Sequence, residues 1–222
     1  MRNNRRKKKS RVSYLVYLIL AFTVASALYL YNQSHPRPPV TKAFILERTW
    51  KNYGDPIQDL AEEFNIPASY LLALIVLECS GQEKEDIEPR FENHVYKKLK
   101  TVRDNTSASY GSITQKTIFD SSDDALKNLA TSWGPFQLMG YQCIELGVNV
   151  ADIRGKQSLY WGVYWINERY GNNLRANDFK NAFHIHNAGH HYPKTGGPNT
   201  HDPKYVENGI HYAKYFEHKL NK

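Results

Sequence analysis

Leu71-Leu72-Ala73-Leu74-Ile75-Val76-Leu77-Glu78-Cys79-Ser80-Gly81 is the stretch on which the reading of the whole chain turns. No charged residue stands between Glu63 and Glu78, and the apolar run before Glu78 leaves no wet face on a helix. A helix that is apolar all round is buried. Glu78 therefore sits where water thins out, and desolvation raises a carboxyl's pKa by disfavouring its charged form. A carboxyl held in that way keeps its proton near neutral pH and can serve as a general acid. Taken alone, a glutamate at an apolar helix end is more often a helix-terminal or ion-paired residue than a catalyst.

Around this run the pattern is helical. Residues 55–64 read as a short amphipathic helix, and Pro67 suits the first turn of the Glu78 helix, where its missing N–H costs nothing. Residues 91–99 read as helix, and Ser121 or Ser122 caps another reaching about Thr131. Residues 134–146 read as one helix ended by Gly147. Leu159, Val163, Ile166 and Tyr170 form a stripe of helical period, as do Val206, Ile210, Ala213 and Phe216 after the start signal Asp202-Pro203. Residues 101–119, rich in Thr and Ser, read as a loop or small hairpin. Nothing alternates over six residues, so the expected class is all-α.

The formal net charge of +7 invites a nucleic-acid reading that its distribution removes. Arg2, Arg5, Arg6, Lys7, Lys8, Lys9 and Arg11 all fall in the first eleven residues, and the 22 basic residues that remain balance 22 acidic ones. Residues 1–11 are thus a basic tail, and no nucleic-acid partner is expected. Residues 12–31 carry no charge, enough to cross a hydrocarbon core of about 30 Å, with tyrosines near both ends. The one-sided cations place the N-terminus inside and everything after residue 31 outside. A single-pass anchor in the cytoplasmic membrane is expected, with the domain periplasmic or extracellular. A cleaved signal peptide competes through Ala25-Ser26-Ala27, but the apolar stretch runs on past it. Residues 32–40, with Pro36, Pro38 and Pro39, form a stiff linker, and residues 41–222 suffice for one domain with its own core.

Four blocks within that domain resemble the lysozyme-like superfamily. Residues 73–81 (ALIVLECSG) resemble its catalytic helix, which ends in glutamate. Glu88-Pro89-Arg90-Phe91-Glu92-Asn93-His94 is similar to the RFE-x-H segment of bacterial and phage N-acetylmuramidases. Ser132-Trp133-Gly134-Pro135-Phe136-Gln137-Leu138-Met139-Gly140 resembles the SWG-x-x-Q-I-M-G turn shared with lytic transglycosylases and goose-type lysozymes. His186-Asn187-Ala188-Gly189 stands where the superfamily has Y-N-x-G. The blocks follow the family order.

The resemblance implies a lysozyme-like helical domain that cleaves the β-1,4 bond between N-acetylmuramic acid and N-acetylglucosamine, as lytic transglycosylase or muramidase, without cofactor or metal. Glu78 is then the general acid and base, and lysozyme is itself the standard case of an acid raised by an apolar pocket. Ser132, Gln137, Tyr141, His186 and Asn187 are the expected substrate-binding residues, with Asn187 and Gly189 in a loop. His186 replaces the tyrosine that in the family hydrogen-bonds the acid, a role imidazole can also fill. Glu92 is the candidate second carboxylate, with Glu88 beside it, although pairing of Glu92 with Arg90 or His94 is the plainer reading. The expected partners are peptidoglycan strands, the membrane through residues 12–31, and an envelope-spanning machine for which a tethered enzyme opens a gap. A non-catalytic glycan-binding scaffold and a metal-dependent hydrolase built on His184, His186, His190, His191, His201 and Asp202 are the rival readings; no H-E-x-x-H spacing supports the second. Trp161 and Trp165, four apart on a helix, are expected in the core. Cys79 and Cys143, the only cysteines, are either a disulfide bracing the site or two small buried hydrophobes.

Overall fold

The computed structural model describes residues 14, 16–18, 20–27, 30 and 41–222. Residues 1–41 and 42–222 are two separate units. In the first, residues 20–27 are helical, and among the described residues no helix is long and apolar enough to cross a membrane. The expected basic tail and linker, and much of the expected anchor, lie outside the described residues.

The second unit is mainly helical and opens with α1 (Lys42–Phe64), which is longer than the helix expected over 55–64. Gly54-Asp55-Pro56 reads as a helix start because proline removes an internal hydrogen bond. Here the helix runs through Pro56, since Leu46, Thr49, Tyr53, Ile57 and Ala61 lie on one face and are all buried. Burial of that stripe outweighs the local defect. The helix that carries Glu78, α2 (Ala68–Cys79), starts after Pro67 and is the core of the unit. Tyr70, Leu71, Leu72, Ala73, Leu74 and Ile75 are all inaccessible to solvent. It ends at Ser80, which takes a left-handed φ of 56° and returns its N–H to Val76 O.

A smaller region follows. The strand β1 (Arg90–Phe91) precedes α3 (Asn93–Asp104), so the helix expected over 91–99 starts later and runs further. A hairpin of β2 (Ser109–Tyr110) and β3 (Ile113–Thr114) fills the Thr/Ser-rich stretch, and the short α4 (Gln115–Ile118) follows. In α5 (Asp123–Leu129), Ser122 is the cap, its hydroxyl accepting from Ala125 N at 3.1 Å.

Residues 134–146 are not one helix. A turn at residues 134–137 links β4 (Thr131–Trp133) to β5 (Leu138–Met139), and only α6 (Gln142–Leu146) is helical, ended by Gly147 in the left-handed region. Gly134 (φ 71°) and Gln137 (φ 48°) both leave helical geometry, which no unbroken helix tolerates. β4 lies between β1 and β5, antiparallel to both, pairing Arg90 with Ser132 and Ser132 with Met139.

The remaining helices are α7 (Val150–Arg154), α8 (Ser158–Arg175), α9 (Phe179–Ala188) and α10 (Tyr205–Leu220). α2 packs against α1 and α10, and α9 packs against α8 and α10. The stripes of α8 and α10 face inward: Val163, Ile166, Tyr170, Val206, Ala213 and Phe216 are buried. Trp165 is buried as expected of core, while Trp161 is only half-buried.

Candidate active site

The site is organised around the C-terminal end of α2, which α1 holds by its backbone. Arg48 donates to Ser80 O at 2.6 and 3.1 Å, Asn52 donates to Gly81 O at 2.9 Å and Tyr53 donates to Gln82 O at 2.6 Å. These side chains satisfy carbonyls just past the last turn, where a helix leaves acceptors unpaired. Gly81 (φ 69°) lets the chain pass so close to α1 that a Cβ there would meet Thr49 Oγ1 at 2.0 Å. The exit of α2, and with it Glu78, is locked.

The Glu78 side chain retains 17% exposure and lines an open cleft of about 570 Å³ shared with Gln82, Asp86, Glu88, Arg90 and Gln137. Burial pushes its carboxyl up to about 7, against the opposing pull of the Tyr205 hydroxyl and the Arg90 charge. Tyr205, on the first turn of α10, donates its hydroxyl proton to Glu78 Oε1.

That contact corrects one expectation. His186 does not hydrogen-bond the acid: its Nε2 lies 3.8 Å from Glu78 Oε1 and donates instead to Phe136 O at 3.3 Å. Its Nδ1 accepts from Tyr170 OH at 2.7 Å, and Tyr170 in turn accepts from Tyr70 OH at 3.3 Å. Burial drives the imidazole down to about 4, so it is neutral at physiological pH. Tyr205 escaped the sequence reading, and Tyr170 entered it only as part of a helical stripe. Tyr205 is 127 residues from Glu78, and no local pattern links them.

The other expected residues divide into groups. Gln137, Tyr141, His186 and Asn187 line a second groove of about 810 Å³, together with Trp165 and Arg169. Gln137 belongs to both grooves, so they meet beside Glu78. Ser132 is buried behind Gln137, and its hydroxyl donates to Gln137 Oε1 at 2.7 Å while Gln137 Nε2 donates to Gly134 O at 3.2 Å. Ser132 thus orients Gln137 instead of meeting a ligand. Asn187 belongs to α9 and not to a loop; Gly189, with φ 80°, caps that helix. Asn187 Oδ1 accepts from His201 N at 3.3 Å.

Glu92 lines neither groove and pairs with Arg90 at 2.7 Å and His94 at 3.4 Å. Asp86 and Glu88 are the carboxylates that share a cleft with Glu78. Cys79 and Cys143 form no disulfide: both are free and buried, and the Cys79 thiol donates to Ile75 O at 3.3 Å. A turn of helix offers the thiol a partner without a crosslink.

The histidines serve the segment after α9. His184 is fully buried, with Nδ1 donating to His190 O at 2.7 Å and Nε2 accepting from Asn199 N at 3.3 Å, and His190 Nδ1 donates to His191 O at 2.9 Å. Among the described residues no three His, Cys, Asp or Glu side chains converge as a metal requires.

What the arrangement can do chemically follows. A carboxyl near 7 donates and recovers a proton at neutral pH, and an open groove on either side admits a long ligand across it. No protein-family model, curated protein or solved structure matches this chain.

Proposed function

We propose that this chain is a membrane-anchored peptidoglycan glycosidase of lysozyme-like kind, cleaving the β-1,4 bond between N-acetylmuramic acid and N-acetylglucosamine, with Glu78 as general acid and then base. The observation that carries this reading is a carboxyl pushed up to about 7 at the edge of an open cleft. Departure of a sugar oxygen needs a proton while an oxocarbenium-like charge develops on the ring.

The four sequence blocks also meet in space, although up to about a hundred residues separate them. Arg90 and Phe91 pair with Ser132 and Thr131, Phe136 O accepts from His186, and His186 stands 3.8 Å from Glu78. Convergence of this kind supports one shared site. If the reaction is hydrolytic, Asp86 and Glu88, which share the Glu78 cleft, are the candidates to activate water, since Glu92 lines neither groove. If it is not, a sugar 6-hydroxyl closes an anhydro ring and Glu78 alone suffices.

The test is digestion of purified peptidoglycan by the full chain, with mass analysis of the soluble products. The wild type releases muropeptides, and Glu78→Gln releases them about 10² to 10⁴ times more slowly while still binding glycan. Anhydro ends identify a transglycosylase and reducing ends a muramidase. Glycan binding without release by the wild type would leave a non-catalytic scaffold as the function.

A further inference from the structure

Beside the Glu78 cleft lies a smaller cavity of about 390 Å³ in which none of the residues assigned to the acid takes part. Its walls come from three places far apart in the chain: Lys84 and Glu85 from the single helical turn Lys84–Asp86, Trp133 from the end of β4, and Arg154 from the end of α7. Ile87 and Pro89 line both this cavity and the Glu78 cleft, so the two are neighbours along that strip of chain. Trp133 Nε1 donates to Asn128 O at 3.1 Å, which fixes the indole, and the Arg154 guanidinium stands over its ring at 5.8 Å. Such a contact holds a guanidinium by its face and leaves its N–H donors for another partner.

The charges of this cavity are unbalanced. Arg90 and Arg169, which border the cleft and the longer groove, are each matched by a glutamate, Glu92 at 2.7 Å and Glu145 at 3.8 Å. Among the described residues no carboxylate pairs with Lys84 or Arg154, and the cavity sets a single acid, Glu85, against the two of them. Lys84 is half-buried and Arg154 exposed, so both stay charged and both can be reached. Two unmatched cations around an aromatic wall suit a flexible ligand that carries carboxylates.

We infer that this cavity takes the acidic peptide carried by N-acetylmuramic acid, and that Lys84 and Arg154 give the enzyme a preference for glycan strands that still bear their peptides. The inference rests on the proposed glycosidase reading, because it follows from where the bond lies. The sugar whose C1–O bond breaks is the muramic acid, so its ring sits beside Glu78. The lactyl ether on that same ring carries the peptide, which therefore leaves the strand at the cleft and not further along the groove. Three or four extended residues reach up to about 10 to 14 Å, more than the width of a single strip of chain, about 5 Å. A peptide passing over Ile87 and Pro89 thus brings its carboxylates to Lys84 and Arg154.

The test compares steady-state cleavage by the full chain on intact soluble strands and on strands stripped of peptide by an amidase, which keep the lactyl carboxylate. The wild type is expected to show a KM about fivefold lower on intact strands, the modest factor that two solvated ion pairs supply. The double variant Lys84→Gln/Arg154→Gln loses that preference: its KM on intact strands rises about fivefold with kcat unchanged, and stripped strands are cleaved as before. Glu85→Gln, which removes the opposing charge, lowers KM on intact strands about twofold, a gain that misfolding cannot imitate. A preference that persists in the double variant overturns the inference. So does an equal loss on both substrates, which would assign the cations to the strand or to the lactyl carboxylate. Binding without turnover separates this inference from the glycosidase reading. The peptide freed by the amidase, titrated into the Glu78→Gln chain, is expected to shift the Trp133 indole N–H resonance and to shift it far less once Lys84 and Arg154 are also replaced by glutamine. If the wild type cleaves neither substrate, the glycosidase reading fails, while this titration still decides whether the cavity takes acidic peptide; no shift, or one undiminished by the two replacements, means that it does not.

Discussion

At Glu78 and His186 burial acts on two neighbouring groups in opposite senses, holding the carboxyl protonated and the imidazole neutral. The consequence for stability follows from proton counts. Burial raises Glu78 from its ordinary 4.5 to about 7, so across that range the folded chain keeps a proton that the unfolded chain has lost, and stability falls as pH rises. His186 is lowered from 6.5 to about 4, so the unfolded chain binds a proton that the folded chain lacks, and stability rises with pH. Between 4.5 and 6.5 the two contributions cancel. Glu78→Gln removes one side of the balance. Its unfolding free energy, measured by urea denaturation, is expected to climb with pH over that interval, by about 1.4 kcal/mol per pH unit. Above pH 7.5 it should exceed the wild type in stability by up to about 3 kcal/mol. A wild-type slope as steep as the variant's would show that Glu78 is not held protonated.

The helix α2 shows how an element can be legible while its ends are not. Its burial follows from composition alone, because a segment without a polar face has only one place to go. Its exit depends on α1, which supplies Arg48, Asn52 and Tyr53 to the carbonyls of residues 80–82. Two glycines separate the backbone and packing parts of such an exit. Gly81 (φ 69°) abuts the backbone of Thr49 at 2.8 Å, whereas Gly147 (φ 67°) has nothing within 4 Å of the added Cβ. Gly147→Ala is expected to cost about 1 kcal/mol for its left-handed backbone alone. Gly81→Ala should cost at least about 3 kcal/mol, since the two helices must also move apart. Chemical denaturation of both variants measures the difference, and equal costs would refute the close approach. The same contrast accounts for the misread elements. The segment 134–146 has helical apolar spacing, yet the positive φ of Gln137, a residue with no preference for it, breaks the helix so that Gln137 can reach Ser132. Pro56 is the converse, a local stop overridden by a buried face.

Across the whole molecule, two expectations concern how the chain sits in its compartment. Cys79 and Cys143 are buried, and burial pushes both thiols up to about 11. Alkylation of the native protein is therefore expected to be negligible at pH 8, with both thiols modified after unfolding, and the mass to be the same with and without reductant. Residues 12–31 bear on localisation. If they anchor the chain, it stays with the membrane fraction through carbonate washing and leaves it only with detergent; release by carbonate would remove the proposed anchor. The sequence by itself determined that a carboxylate ends a helix with no wet side, and that the domain is helical around it. Both are local properties, carried by consecutive residues and their spacing. It did not determine what surrounds that carboxylate. Gln137 and His186 stand in motifs that mark them, but Tyr205 and Tyr170 reach the site from α10 and α8 with nothing in their own neighbourhoods to tie them to it. Only the packing of α10 and α9 around α2 brought them together, because which side chains meet across helix faces is decided by the assembled core and not by any one segment.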